Sequence, residues 1–230
     1  MNRFAEMYNP RGLRIPERPP KARAVMRAAS SFQGPKELIL TGYCTPAENQ
    51  GAMPYCAAYA ASSFAENVKW RRNGYHRDID PVPLYKYAKT IDGDPDGDGT
   101  YLECALEALL AKGHFDRDVC SVKVVRGSLW GGVLSGFEDL KYVVHRYGSC
   151  IAGFEIDSSW YTPKGGVVYG GGATEGGHAV TVAGYDEDGV IVLNSWGADY
   201  GHDGFVYVPR NVFAKQFLYA AVLTHCLDDR

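Results

Sequence analysis

The sequence predicts an α+β fold in which a helix-rich stretch, about residues 50–145, precedes a β-rich stretch, about residues 146–230. The first observation is a run of small, helix-favouring residues, Ala57, Ala58, Ala60, Ala61, Phe64, Ala65 and Val68, behind Pro54, which suits a first helical position. The second is Leu102, Ala105, Leu106, Leu109 and Leu110 at helical spacing behind Thr100-Tyr101-Leu102-Glu103, a capping-box pattern that predicts a helix over 101–112 stopped by Gly113. The third is the change of texture after residue 145 to short β-prone runs between glycines: 150–156, 166–169, 178–184, 189–194, 204–208 and 217–224. Residues 81–90 fit a further short helix, and Leu38-Ile39-Leu40 is a short apolar run at the start of the body.

The chain divides near Lys36. Residues 1–37 carry a net charge of +5 and five prolines (10, 16, 19, 20 and 35), which predicts an irregular basic arm lying against residues 38–230 with their net charge of −8. As a hypothesis, residues 11–22 of this arm run along a cleft in the body and partly occlude it, the bland reading being a loosely attached tail.

With 230 residues, 46% of them hydrophobic, the chain is long enough to bury a substantial core. A total charge of −3 gives no argument for a nucleic-acid partner, and no apolar stretch approaches the ~18 residues that predict a membrane helix. Charged residues recur from Arg3 to Arg27, so the beginning has no apolar signal-peptide core. Cytoplasmic or intracellular work, or delivery by a route without a signal peptide, is therefore expected. The six cysteines, at 44, 56, 104, 120, 150 and 226, form no CxxC pair, which argues for reduced thiols and against zinc.

A thiol becomes nucleophilic when it ionises, and a helix N-terminus and a neighbouring imidazolium both favour the thiolate. Cys56 lies in the first turn of the predicted alanine-rich helix. His178 opens a predicted strand in Gly176-Gly177-His178-Ala179, and Asn194 stands in Leu193-Asn194-Ser195-Trp196-Gly197. An asparagine amide can accept the imidazole N–H and fix the tautomer, while Trp196 keeps water from that bond. Gln50, six residues before Cys56, can supply a side-chain donor to an oxyanion beside the Cys56 amide.

Together these residues resemble the papain family of cysteine peptidases over about residues 40–225. The resemblance rests on Gln50-Gly51, His178-Ala179, Asn194 to Gly197, and Gly201-His202-Asp203-Gly204-Phe205. It implies a two-lobed papain-like fold with a cleft between a helical and a β-barrel-like lobe, peptide or protein substrates, and an acyl-enzyme mechanism needing no cofactor. The catalytic residues it implies are Cys56, His178, Asn194 and Gln50. It aligns the family's peptide-pairing glycines with Gly99-Thr100, and implies that Tyr101, Leu102, Ala152 and Ala179 wall an apolar pocket for the second residue before the cut. Gly177 and Trp196 complete the implied substrate-binding set. Gly177 replaces a residue that is often acidic or polar, which implies a shifted pH profile. Met53 stands in place of a usual disulfide cysteine, Ala57 in place of a tryptophan, and Tyr55 adds bulk at the cleft floor.

Asp92, Asp94, Asp96 and Asp98 with Glu103 also fit the spacing of a calcium loop, against which Pro95 and the capping role of Glu103 argue. Two other functions are consistent with the residues, a papain-shaped binding or regulatory module without turnover and a related cysteine amidase or peptide ligase.

Overall fold

A computed structural model describes residues 12–16, 25–26, 32–126 and 136–226. Among the described residues eight strands form one sheet: β1 (Val25–Met26), β2 (Leu38–Ile39), β3 (Ser121–Arg126), β4 (Cys150–Asp157), β5 (Thr174–Tyr185), β6 (Gly189–Leu193), β7 (Phe205–Pro209) and β8 (Phe217–Thr224). Their order is β1-β3-β8-β4-β5-β6-β7, with β2 pairing beside β5, and all described pairings are antiparallel except β1 with β3. The described helices are α1 (Cys56–Asn73), α2 (Pro81–Ile91), α3 (Leu102–Ala111), α4 (Gly136–Tyr147) and α5 (Arg210–Gln216). None of them is long and apolar enough to cross a membrane.

The predicted alanine helix is α1. It starts at Cys56, two residues after Pro54, because the Tyr55 carbonyl accepts the first helical amides, from Ala58 at 2.9 Å and Tyr59 at 3.0 Å. Its small side chains are buried and let the helix axis approach β5, to which it is tied by the Thr181 hydroxyl donating to the Ala60 carbonyl at 2.9 Å. At its far end Gly74, in the left-handed region at φ 72°, closes the helix by donating to the Trp70 carbonyl.

Several sequence expectations need correction. The capping box does not form: α3 starts after Tyr101, and Glu103 accepts from the Tyr219 hydroxyl at 3.2 Å instead of reaching back to the backbone. That hydroxyl in turn accepts from the Leu102 amide at 3.0 Å, so β8 caps the helix that Thr100 was expected to cap. The stretch 166–169 is no strand; Val167 makes only isolated bridges, to Lys164 and Tyr207. Strand β3 lies within the stretch read as helical, so the sheet begins well before residue 146. Helices α4 and α5 were not predicted.

An acidic pair, Glu66 buried and Glu48 partly exposed, braces the segment leading to Gln50. Glu66 is buried and accepts from Thr45 Oγ1 at 2.6 Å and from the Ile79 amide at 2.8 Å. Burial, and then the nearby Glu66 carboxylate, raise the Glu48 carboxyl from its ordinary 4.5 to about 7. A carboxyl raised by folding stabilises below its ordinary value and loses that contribution as pH rises through its folded value. Thermal stability is therefore expected to fall between pH 5 and 8 by about 1 kcal/mol more in the parent chain than in Glu48→Gln, the figure allowing for partial exposure. Melting curves at the two pH values check it, and parallel curves for both proteins would reject it.

Candidate active site

Three elements bring the candidate residues together. Cys56 is the first residue of α1, where unpaired backbone amides and the helix dipole favour a negative charge. His178 lies on β5, paired in register with Phe154 of β4. Asn194 follows β6, its amide held by the Gly204 carbonyl at 2.9 Å.

His178 Nε2 and Asn194 Oδ1 are 2.7 Å apart, and Asn194 Oδ1 also accepts the Ser195 amide at 2.8 Å. With Oδ1 as acceptor, the imidazole proton sits on Nε2. The other ring nitrogen, Nδ1, has no hydrogen-bond partner among the described residues and is open to a thiol proton. The Trp196 ring lies 4.7 Å from the imidazole centroid and seals the His178–Asn194 bond from solvent, itself stacked on Tyr161 at 5.2 Å.

Gln50 is locked in place from both ends. Its backbone amide donates to the Ser195 carbonyl at 2.9 Å, and its Oε1 accepts from Ser195 Oγ at 2.6 Å. Its Nε2 donates one hydrogen to the Met53 carbonyl at 2.8 Å, and an amide NH2 has a second to give. Ser195 was missed as a site residue because a serine between Asn194 and Trp196 carries no signal of its own.

The arm lies over the sulfur. A Cβ on Gly12 would come 2.7 Å from Cys56 Sγ and 3.2 Å from the Cys56 nitrogen, so only glycine fits there. Leu13 is 4% exposed, and Cys56 and His178 are fully buried. The Leu13 amide donates to the Gly177 carbonyl at 3.2 Å. Thr100 pairs with the arm on both sides, donating to the Gly12 carbonyl at 3.3 Å and accepting from the Arg14 amide at 3.0 Å. That is a parallel bridge, Leu13 to Thr100. Of the segment 11–22 expected in the cleft, residues 12–16 are described, and Gly12 to Arg14 make these contacts; 11 and 17–22 lie outside the described residues.

The arm contacts the residues expected to wall the pocket, with two differences from the sequence reading. The arm pairs with Thr100, while the Gly99 carbonyl is taken by Lys89 Nζ at 2.9 Å. The β4 wall is Gly153 where Ala152 was expected, since successive strand residues face opposite sides. A Cβ on Gly153 would meet Leu13 Cδ2 at 2.5 Å and Leu102 Cδ1 at 3.7 Å, so the missing side chain is the room that Leu13 fills. Ala179 is the register partner of Gly153 and shares its face, and Tyr101 flanks the outer side with its ring under Arg14. Tyr55, expected at the cleft floor, stacks on Tyr85 with ring centroids 3.8 Å apart.

Burial changes both reacting groups. It pushes the Cys56 thiol up to about 12, against weaker help to the thiolate from the backbone of Ala179, Ala57 and Cys56 itself. It holds His178 down to about 4, against the opposing pull of Asn194. The covered site is therefore thiol plus neutral imidazole.

The acidic loop is closed by the chain's own cations. Asp92 pairs with Lys89 at 2.7 Å, and Asp94 with Arg14 at 3.0 Å. Among the described residues no three metal-ligating side chains come together.

The profile described as "Papain family cysteine protease" matches residues 111–223, a span holding His178 and Asn194. Procathepsin L of Felis catus is 25% identical over an alignment covering 92% of this chain and 73% of that one, wide enough to include Gln50 and Cys56. The chain is papain-like over the residues matched. Cathepsin B-like cysteine proteinase 6 of Caenorhabditis elegans is 30% identical over 135 residues, 56% of this chain. That alignment spans only 35% of the nematode protein's length. Two solved structures share the papain-like fold with TM-scores of 0.72: xylellain, a cysteine protease from Xylella fastidiosa, and a digestive procathepsin L2 proteinase from Tenebrio molitor larval midgut. The first is 16% identical and matches 97% of this chain and 98% of its own; the second is 20% identical and matches 97% and 80%.

Proposed function

We propose that this chain is a cysteine endopeptidase acting on peptide or protein substrates, held here in a self-covered form. The observation that carries the reading is the His178–Asn194 bond at 2.7 Å with Nδ1 left open, on the strand whose next residue, Ala179, hydrogen-bonds through its backbone to the thiol of Cys56 at a helix N-terminus. In the uncovered site the Cys56 thiol gives its proton to Nδ1, and the thiolate attacks the scissile carbonyl. The oxyanion takes hydrogen bonds from the Cys56 amide and Gln50 Nε2. The tetrahedral intermediate collapses as the C–N bond breaks and the imidazolium protonates the leaving amine. Water, deprotonated by His178, then cleaves the thioester and restores the thiol.

The arm is a cover and not a substrate in this pose. The Gly12 carbonyl is committed to the Thr100 amide, so its oxygen faces away from the oxyanion donors. The structure forms no disulfide among the six cysteines, and the Sγ atoms of Cys120 and Cys226 lie 3.1 Å apart.

The test is labelling with an epoxide-type inhibitor of papain-family enzymes, read by mass spectrometry on the full chain, on Gly12→Leu and on Cys56→Ala. Labelling at Cys56 that is faster in Gly12→Leu and lost in Cys56→Ala is expected. Absence of labelling in both forms that keep the thiol would favour the binding-module reading.

A further inference from the structure

We propose that the cleft has a second selective position, a site for a basic side chain formed by Asp94, Asp92 and the Tyr101 ring, which takes the third residue before the cut. This rests on the peptidase reading and names the substrate class of the same cleft: peptides with a basic residue followed by an apolar one.

The arm displays the order of positions outward from the sulfur. Gly12 lies against Cys56 Sγ, Leu13 fills the pocket of Leu102 and Gly153, and Arg14 reaches the acidic loop. Side-chain pockets do not record chain direction, so a substrate running the opposite way meets them in the same spatial order. Its second residue before the cut replaces Leu13, and its third replaces Arg14.

The third position is built for a guanidinium. Arg14 Nη1 is 3.0 Å from Asp94 Oδ2 and 4.0 Å from Asp92 Oδ2, and its Cζ lies 5.2 Å from the Tyr101 ring centroid. A cation stacked over a ring beside carboxylates favours arginine over lysine, the Nη1 contact to the acids being an ion pair and not a hydrogen bond. The two acids differ in role. Asp92, with a fully buried side chain, is neutralised by Lys89 and accepts the Asp94 amide at 3.0 Å, so it shapes the loop whether or not the arm is present. Asp94 turns one oxygen to the Gly97 amide at 3.2 Å and the other to Arg14. When the arm leaves, Asp94 is the carboxylate that loses its cation. Lys89 also holds the Gly99 carbonyl, which joins the loop rigidly to Thr100, the residue that pairs with the arm backbone.

The test uses the full chain carrying Leu13→Asp to lift the arm. Fluorogenic peptides with leucine in the second position and Arg, Lys, Gln or Glu in the third are compared by kcat/KM. Arg is expected to exceed Gln about tenfold, with Lys between and Glu lowest, and added salt should shrink the ratio. Adding Asp94→Asn should bring the Arg/Gln ratio close to one while leucine is still preferred to alanine in the second position. In parallel, acetylated dye-labelled peptides with Arg or Gln in the third position are titrated by anisotropy into the chain carrying Leu13→Asp and Cys56→Ala. Tighter binding of the Arg peptide with no hydrolysis by the Cys56 form would keep the site and overturn the peptidase reading. Hydrolysis without an Arg preference that depends on Asp94 overturns the site, and neither preference nor hydrolysis overturns both.

Discussion

Replacing Leu13 by Asp in the full chain is expected to raise the rate of peptide hydrolysis, and of Cys56 alkylation, by about 100-fold. Burying a leucine side chain contributes about 2–3 kcal/mol, and an aspartate in the same pocket would have to shed its water among Leu102, Gly153 and Ala179. The other described ties of Gly12 to Arg14 are three backbone hydrogen bonds of 3.0 to 3.3 Å and the partly exposed contacts of Arg14 with Asp94, Asp92 and the Tyr101 ring, each worth little against water. Leu13 is thus the anchor of the cover, and its loss shifts the equilibrium to the open cleft. Steady-state kinetics on the parent and variant chains decide the point. Equal rates would mean that the arm does not limit access.

What was legible in the sequence follows the range of the interactions. The spacing of small residues set out α1, and the separate motifs around Cys56, His178 and Asn194 have one joint explanation in a thiolate site. The apolar spacing that supports α4, Phe137, Leu140, Val143 and Val144, was present too, but the β-branched pair and Tyr142 also suit a strand. Strand β3 is completed by β8, with Ser121 opposite Thr224, a partner that local pattern cannot supply. The capping box failed for a similar reason. The Thr100 backbone pairs with the arm, and Tyr219 draws Glu103 away from the helix terminus. Gly153 was passed over for Ala152 because the resemblance pointed to Ala152, while strand alternation decides which of the two faces the cleft.

Gln50→Ala is expected to lower kcat by about 100- to 1,000-fold, the loss seen when one oxyanion donor is removed. The side chain is positioned for that role alone among the candidate residues: Ser195 Oγ fixes its oxygen, Met53 fixes one N–H, and the second N–H is available to the tetrahedral intermediate. A purely structural role would show up differently, because loosening the Ser195 contact would disturb Asn194 and the imidazole beside it. Alkylation by iodoacetamide separates the two accounts. That reaction needs the thiolate and His178 but forms no oxyanion, so an oxyanion donor can be removed without slowing it. Both measurements are made in the Leu13→Asp chain. Hydrolysis should collapse in Gln50→Ala while alkylation stays within about threefold, whereas Asn194→Ala should slow both because the tautomer and the thiolate partner are lost together. Equal losses of hydrolysis and alkylation in Gln50→Ala would reassign the residue to holding the Asn194 turn.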